Sequence, residues 1–318
     1  MAMSGSYVRT HGNRNRDSVA PDMSKEQLNG IIAAIPCFNE EPFIGSLVLK
    51  AKGYAERVIV IDDGSGDNTA LIAEEAGATV VKHSSNLGKG AAVRTAFEHA
   101  REMGCRALVL LDGDGQHEPA YIPSLVQPVL DGEADMVVGS RFLDIHNSIP
   151  RYRLWGHRLL TFLTNLGSRV KLSDSQNGFR AFSPKAVDAL SFAENGLSIE
   201  SEMQFLANDA HLKVAEVPVA IMYHDLTSRS PITHGVEVLE SILRLITRRH
   251  PLLFFGVPGM VMLCVGIWEG WRVVQGYYAS GEFWVGLALL AVLLCIIGSL
   301  CLFAGLILHN IRPFLRRD

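Results

Sequence analysis

Near the middle of the chain a run of apolar residues ends in carboxylates: Arg106-Ala-Leu-Val-Leu-Leu-Asp112-Gly-Asp114-Gly-Gln116-His117. The pattern predicts a buried strand with a cation site at its carboxyl end. Asp112 and Asp114 bring hard carboxylate oxygens, Gln116 a neutral amide oxygen, and Gly113 and Gly115 let the backbone approach a bulky anionic ligand. Holding a divalent ion, Mg2+ or Mn2+, against a nucleotide diphosphate requires this set. An isolated Asp-x-Asp equally fits an ordinary polar turn after a strand, so its surroundings decide.

From Gly30 onward short Ile/Val/Leu runs alternate with helix-length segments. Strands are expected at Ile31 to Ile35, Val58 to Ile61, Thr79 to Val81, Ala107 to Leu111 and Asp135 to Val138. Helices are expected at Phe43 to Lys52, Thr69 to Glu75, Gly90 to Met103 and Ala120 to Leu130, with Pro42 and Pro119 suited to helix starts. Strands that are apolar throughout and separated by helices imply an α/β fold, a mostly parallel sheet covered on both faces. Ligands of such sheets sit beyond the carboxyl ends of the strands. Pro36-Cys-Phe-Asn-Glu40, Asp62-Asp63-Gly64-Ser65 and Asp112-Gly-Asp114 all fall there, one after each of three strands.

The character shifts after Ser140-Arg141. Arg151 to Lys171 is basic and amphipathic, fitting either a core helix with a solvated basic face or a helix on a membrane surface. Val236 to Arg249 is a second amphipathic segment. Two long apolar stretches follow, Leu252 to Trp268 and Phe283 to Leu308; the second exceeds the roughly 20 residues that span a bilayer, and the first reaches that length if it runs on to Val274. Trp268, Trp271, Tyr277, Tyr278 and Trp284 flank the connecting loop, which is expected to hold Glu269, Arg272 and Glu282. Arginines before the hairpin (Arg244, Arg248, Arg249) and after it (Arg312, Arg316, Arg317) put both ends on the cytoplasmic side by the positive-inside rule. A buried hairpin of a soluble protein is the alternative.

The 318 residues carry a formal charge of −4, so no global basic field points to nucleic acid. Cys37, Cys105, Cys264, Cys295 and Cys301 have no C-x-x-C spacing and read as reduced, buried hydrophobes. Residues 1–29 are polar, lack an apolar secretory region and read as a flexible tail, leaving the globular part in the cytoplasm. The expected organisation is tail 1–29, catalytic domain 30–233, amphipathic interface helix 234–250, and transmembrane hairpin with a short cytoplasmic tail 251–318.

With these residues placed, the chain resembles the inverting glycosyltransferases of family 2 with a GT-A (Rossmann-like) fold, specifically the polyprenyl-phosphate (dolichyl-phosphate) sugar transferases. The motifs are Ile35-Pro-Cys-Phe-Asn-Glu40, Ile61-Asp-Asp-Gly-Ser65, Asn86-Leu-Gly-Lys-Gly90, Leu111-Asp-Gly-Asp-Gly-Gln-His117, Gly139-Ser-Arg-Phe142 and Asp174-Ser-Gln-Asn-Gly-Phe-Arg180. The resemblance implies transfer of a sugar from a UDP- or GDP-sugar to a polyprenyl phosphate in the membrane, with Mg2+ or Mn2+. It assigns Pro36, Phe38, Glu40, Asp62 and Asp63 to the nucleotide, Lys89 to a phosphate, Asp112 and Gly113 to the donor, and Asp114 with Gln116 to the metal. Arg141 falls near diphosphate and acceptor, and Arg151, Arg153 and Arg229 become candidates for the lipid phosphate. Asp112, Asp114 and Arg141 are the candidate catalytic residues. Two departures stand out: Asn177-Gly178-Phe179 replaces the usual Ser-Gly-Phe, and Tyr223-His-Asp-Leu-Thr-Ser-Arg229 lacks the usual earlier basic residue.

The resulting expectation is an enzyme of the cell membrane, or of the ER membrane in a eukaryote, with catalytic domain and termini cytoplasmic and the hairpin a candidate contact between copies. A processive polysaccharide synthase would share the site, but two spans are too few for a conduit. An inert nucleotide-sugar-binding scaffold is the non-enzymatic rival. The sugar, nucleotide and polyprenyl chain are not legible.

Overall fold

The structure is a computed structural model that describes residues 7–9, 25–143, 151–168, 170–192, 199–221 and 251–315, with 239, 240, 243 and 247 as isolated positions. It divides into two compact units, Met1–Ile242 and Leu243–Asp318.

The first unit is built on one eight-stranded sheet. In chain order its strands are β1 Tyr7–Arg9, β2 Ile31–Cys37, β3 Arg57–Asp62, β4 Thr79–Lys82, β5 Ala107–Leu110, β6 Met136–Ser140, β7 Arg180–Phe182 and β8 Val214–Pro218. In space the order is β1-β8-β6-β7-β5-β2-β3-β4. Every pairing is parallel except those of β7, which runs antiparallel between β5 and β6. The five expected strands are present, with ends shifted by one or two residues. The stretch expected to be a flexible tail is corrected in two places: Tyr7–Arg9 pairs with Val214–Glu216, and Lys25–Leu28 forms the one-turn helix α1.

All seven residues of β2 are buried, which is why it reads as a continuous apolar run. Ile31, Ala33 and Ile35 pack on one face with Ile44 and Leu47 of α2 (Glu41–Ala51) and Leu125 of α5 (Ile122–Leu130). Ile32 and Ala34 face Val93 and Phe97 of α4 (Lys89–Glu102), with Val187 of α7 (Pro184–Ala189) and Met203 of α8 (Ile199–Asp209) in the same layer. The remaining helices are α3 (Thr69–Glu75) and α6 (Arg151–Ser168). Parallel β2, β3, β5, β6 and β8 deliver their carboxyl ends to one rim.

The second unit is a helical hairpin, α9 (Val257–Ser280) and α10 (Val285–Leu315), entered through a π-helical turn at Leu252–Gly256. Two 27-residue segments, Phe254–Ser280 and Val285–Ile311, are long and apolar enough to cross a membrane. Glu269 and Arg272, expected in the connecting loop, lie within α9 and pair at 3.0 Å, so the turn is only residues 281–284. Gly259 and Gly298 let the helices approach closely: a Cβ on either would come within 2.8 Å of the other's carbonyl oxygen. Cys37 and Cys105 are buried as expected, whereas Cys264 is exposed and Cys295 and Cys301 are half-buried on these helices; all five are free thiols.

Candidate active site

A pocket on the rim is lined by Pro36, Lys89, Asp112, Gly178 and Glu200 among others. Lys89 opens α4, and its ammonium lies 2.6 Å from Asp112 Oδ1 and 2.6 Å from Glu200 Oε1. Burial disfavours that charge, but the two carboxylates more than offset it and raise the lysine pKa. Burial would likewise raise Asp112; the Lys89 ammonium, aided by His117 and Arg141, holds it low instead. Gly178 is required beside it, because a Cβ there would stand 2.6 Å from Asp112 Oδ2.

Asp114 accepts from the backbone N–H of Gln116 (3.0 Å) and from its Nε2 (2.8 Å). Burial and then Asp112 push its pKa up. Glu40 stands just before α2, yet its carboxylate makes no capping bond. Burial, then Asp114 and Asp112, push its pKa to about 7. Among the described residues no three His, Cys, Asp or Glu side chains form a complete metal cage. The crowding of Glu40, Asp112 and Asp114 nonetheless marks a surplus of negative charge. A divalent cation on Asp114 and Gln116, completed by diphosphate oxygens, fits that donor set.

Arg141, directly after β6, is buried and forms a bidentate pair with buried Asp174: Nε to Oδ2 at 2.6 Å, Nη2 to Oδ1 at 2.7 Å. Burial raises the Asp174 carboxyl, and the arginine overrides it and holds it low. Nη2 also lies 3.4 Å from Nδ1 of His157 on α6. The expected phosphate ligand is thus already engaged by a carboxylate. Asp63, expected along the nucleotide, is buried and holds the next loop, accepting from the backbone N–H groups of Leu87 (3.0 Å) and Gly88 (2.8 Å) and pairing with His83 (2.7 Å). Asp62 accepts from the Ser65 N–H at 3.0 Å and braces the turn. Pro36 is buried at the end of β2 and Phe38 is half-buried just beyond it.

Residues 32–191 match the family "Glycosyl transferase family 2". The chain belongs to that family. It is 30% identical over 239 residues to the UDP-N-acetylglucosamine–dolichyl-phosphate N-acetylglucosaminyltransferase of Methanococcus voltae, covering 68% of this chain and 95% of the relative. It is 27% identical to the undecaprenyl-phosphate mannosyltransferase of Micrococcus luteus, covering 67% and 93%. Glucosyl-3-phosphoglycerate synthase from Mycobacterium tuberculosis, solved with Mn2+, UDP-glucose and phosphoglyceric acid, shares the fold: TM-score 0.54, 21% identity, 71% of this chain and 85% of that one.

In this family 2 glycosyltransferase the rim therefore brings together Pro36, Lys89, Asp112 and Asp114, with Arg141 two strands further along, beyond antiparallel β7. Arg151 and Arg153 open α6, but their side chains, like Arg229 and most of the second amphipathic segment, lie outside the described residues. Glu200 escaped the sequence reading. The sequence carries no clear signal for it: Ile199-Glu-Ser-Glu-Met-Gln-Phe205 mixes two acids with apolar residues, and only the structure shows that all seven are buried, where a buried acid needs a partner. The Asn177 departure also has a structural account. Its Nδ2 donates to the Gly139 carbonyl (2.6 Å) while its Oδ1 accepts from the Phe179 N–H (3.1 Å), tying the end of β6 to the 174–180 loop.

Proposed function

We propose that this glycosyltransferase moves a sugar from a nucleotide-diphospho-sugar to a polyprenyl phosphate, inverting the anomeric configuration. One observation carries the reading: a rim crowded with carboxylates suited to a metal diphosphate shares a chain with two membrane-length helices. The dolichyl-phosphate and undecaprenyl-phosphate acceptors in the relatives' names support it.

The acceptor, a phosphate monoester, carries about −1.5 to −2 charge at neutral pH, so it attacks without a general base. One of its oxygens bonds to the anomeric carbon as the carbon–oxygen bond to the diphosphate breaks, and the nucleoside diphosphate leaves. The difficulty is electrostatic, since two anions must approach opposite sides of one carbon. A divalent cation, when bound, supplies positive charge at the departing diphosphate. Asp114 and Gln116 would hold it, Asp112 would orient the donor with Lys89 as its counter-charge, and Pro36, Phe38 and Glu40 would line the nucleotide. Arg141, steadied by Asp174, would present positive charge between diphosphate and acceptor, with Arg151, Arg153 and Arg229 toward the lipid phosphate.

A polyprenyl tail leaves the bilayer at about 0.8 kcal/mol per methylene, so the enzyme must work where the headgroup lies. The arginines around the hairpin support cytoplasmic termini and a cytoplasmic catalytic domain. Cleavage of that domain by protease outside sealed cells would contradict this orientation. The catalytic reading is tested by following nucleotide release from donor with and without lipid acceptor. Release dependent on the acceptor supports transfer, whereas none under any condition would leave only a scaffold.

A further inference from the structure

Helix α4 starts at Gly88, whose φ of 95° suits glycine and which has no side chain with which to cap the helix. The cap comes from another strand. The buried Asp63 carboxylate accepts from the Leu87 N–H through Oδ1 (3.0 Å) and from the Gly88 N–H through Oδ2 (2.8 Å). Residues 84–87 are exposed, so these two bonds hold the loop from its inner side. Lys89, the first residue of the helix, therefore starts from a point that Asp63 fixes.

His83 fixes Asp63 in turn. It directly follows β4, its side chain is only 11% exposed, and its backbone N–H donates to the Asp62 carbonyl (2.9 Å). Nδ1 lies 2.7 Å from Asp63 Oδ1, and Nε2 lies 3.0 Å from the hydroxyl of Thr95, less than two turns beyond Lys89 on α4. With Nδ1–H donating to the carboxylate, Nε2 accepts from the threonine. One ring thus ties the end of β3 to α4 and arrests the rotation of the carboxylate between them.

We infer that His83 is a positioning residue for sugar transfer: by orienting Asp63 it sets the start of α4 and so places the Lys89 ammonium between Asp112 and Glu200. A lysine stem is flexible, so where the stem begins decides whether its ammonium meets both carboxylates at 2.6 Å. Small displacements of such a group are costly to a reaction that depends on alignment. The inference rests on the donor-side role proposed for Lys89 and is independent of the acceptor's identity.

Two substitutions separate the bonds of the ring. The amide nitrogen of asparagine stands where Nδ1 stands and that of glutamine where Nε2 stands, so His83→Asn keeps the donor to Asp63 and His83→Gln keeps only the contact with Thr95. Initial rates are measured with the full chain in detergent, UDP- and GDP-sugars, a polyprenyl phosphate and Mn2+, and amide hydrogen exchange is followed across residues 84–92. His83→Gln should lower donor kcat/KM about tenfold, the scale of one lost hydrogen bond to a charged group, and speed exchange at Leu87 and Gly88. His83→Asn should stay close to the wild type in both. In a Lys89→Ala background His83→Gln should cost nothing further. Equal rates or equal losses in the two His83 variants, or a loss that persists in full without Lys89, would overturn the inference alone. A wild type that uses no donor would overturn it together with the donor reading of the rim.

Discussion

Lys89 and Glu200, more than a hundred residues apart, meet at 2.6 Å, and the same ammonium reaches Asp112 at 2.6 Å. Glu200 draws Lys89 away from exclusive pairing with Asp112, the carboxylate proposed to orient the donor. The two residues should therefore act as a unit. In a double-mutant cycle on kcat/KM for the nucleotide sugar, Lys89→Ala and Glu200→Ala should show a coupling of about 0.5–3 kcal/mol. Strict additivity would detach Glu200 from the site.

Arg141 and Asp174 make a different prediction, for stability. Removing one member of a buried ion pair leaves the other charge without compensation and costs about 3–5 kcal/mol. Asp174→Ala should lower the melting temperature of the detergent-solubilised protein markedly, whereas Arg141→Met combined with Asp174→Leu should restore most of the loss. Equal melting of the single and double variants would contradict the pairing.

A pH dependence follows from Glu40, whose pKa rises from 4.5 to about 7 on folding. A carboxyl raised in the folded state contributes stability that is fully present below pH 4.5 and is lost as pH rises through about 7. In EDTA, melting temperature should fall across this window more steeply for the wild type than for Glu40→Gln, and saturating Mn2+ should reduce the difference. Parallel curves in EDTA would remove Glu40 from the acidic cluster.

Arg151 and Arg153 are assigned to the acceptor side. Charge-assisted bonds to a phosphate contribute about 1.5–3 kcal/mol each, so alanine at both should raise the acceptor concentration needed for half-maximal rate while calorimetry shows donor binding unchanged. Lost donor binding with unchanged acceptor dependence would reverse the assignment.

Much of the rim was legible because buried parallel strands appear as apolar runs that stop abruptly, as at Leu111-Asp112 and Ile61-Asp62. β7 was not. Its three residues, Arg180–Phe182, begin with a fully buried arginine that donates to the Ser175, Asn177 and Glu200 carbonyls at 2.7, 2.8 and 2.9 Å. A charged residue satisfied by backbone carbonyls breaks the apolar run by which a buried strand is recognised. The occupancy of Arg141 by Asp174 and of Asp63 by residues 87–88 was hidden for a different reason: a motif shows which polar groups collect at a rim, but not which of them are spent on one another. The span of α9 was underread because Glu269 and Arg272, unpaired in a sequence, suggest a loop, whereas three residues apart on a helix they pair.

Transfer of sugar to a polyprenyl phosphate at the Asp112–Asp114 rim, as proposed, is tested most directly by its product. Membranes containing the protein should be incubated with a panel of UDP- and GDP-sugars, a polyprenyl phosphate and Mn2+, and the lipid extract analysed by mass spectrometry, with Asp114→Ala in parallel. The expected product is a polyprenyl-phosphate-linked monosaccharide from one donor, absent in excess EDTA and nearly absent with Asp114→Ala. An undiminished product in EDTA, or an extended saccharide in place of the single-sugar lipid, would contradict it.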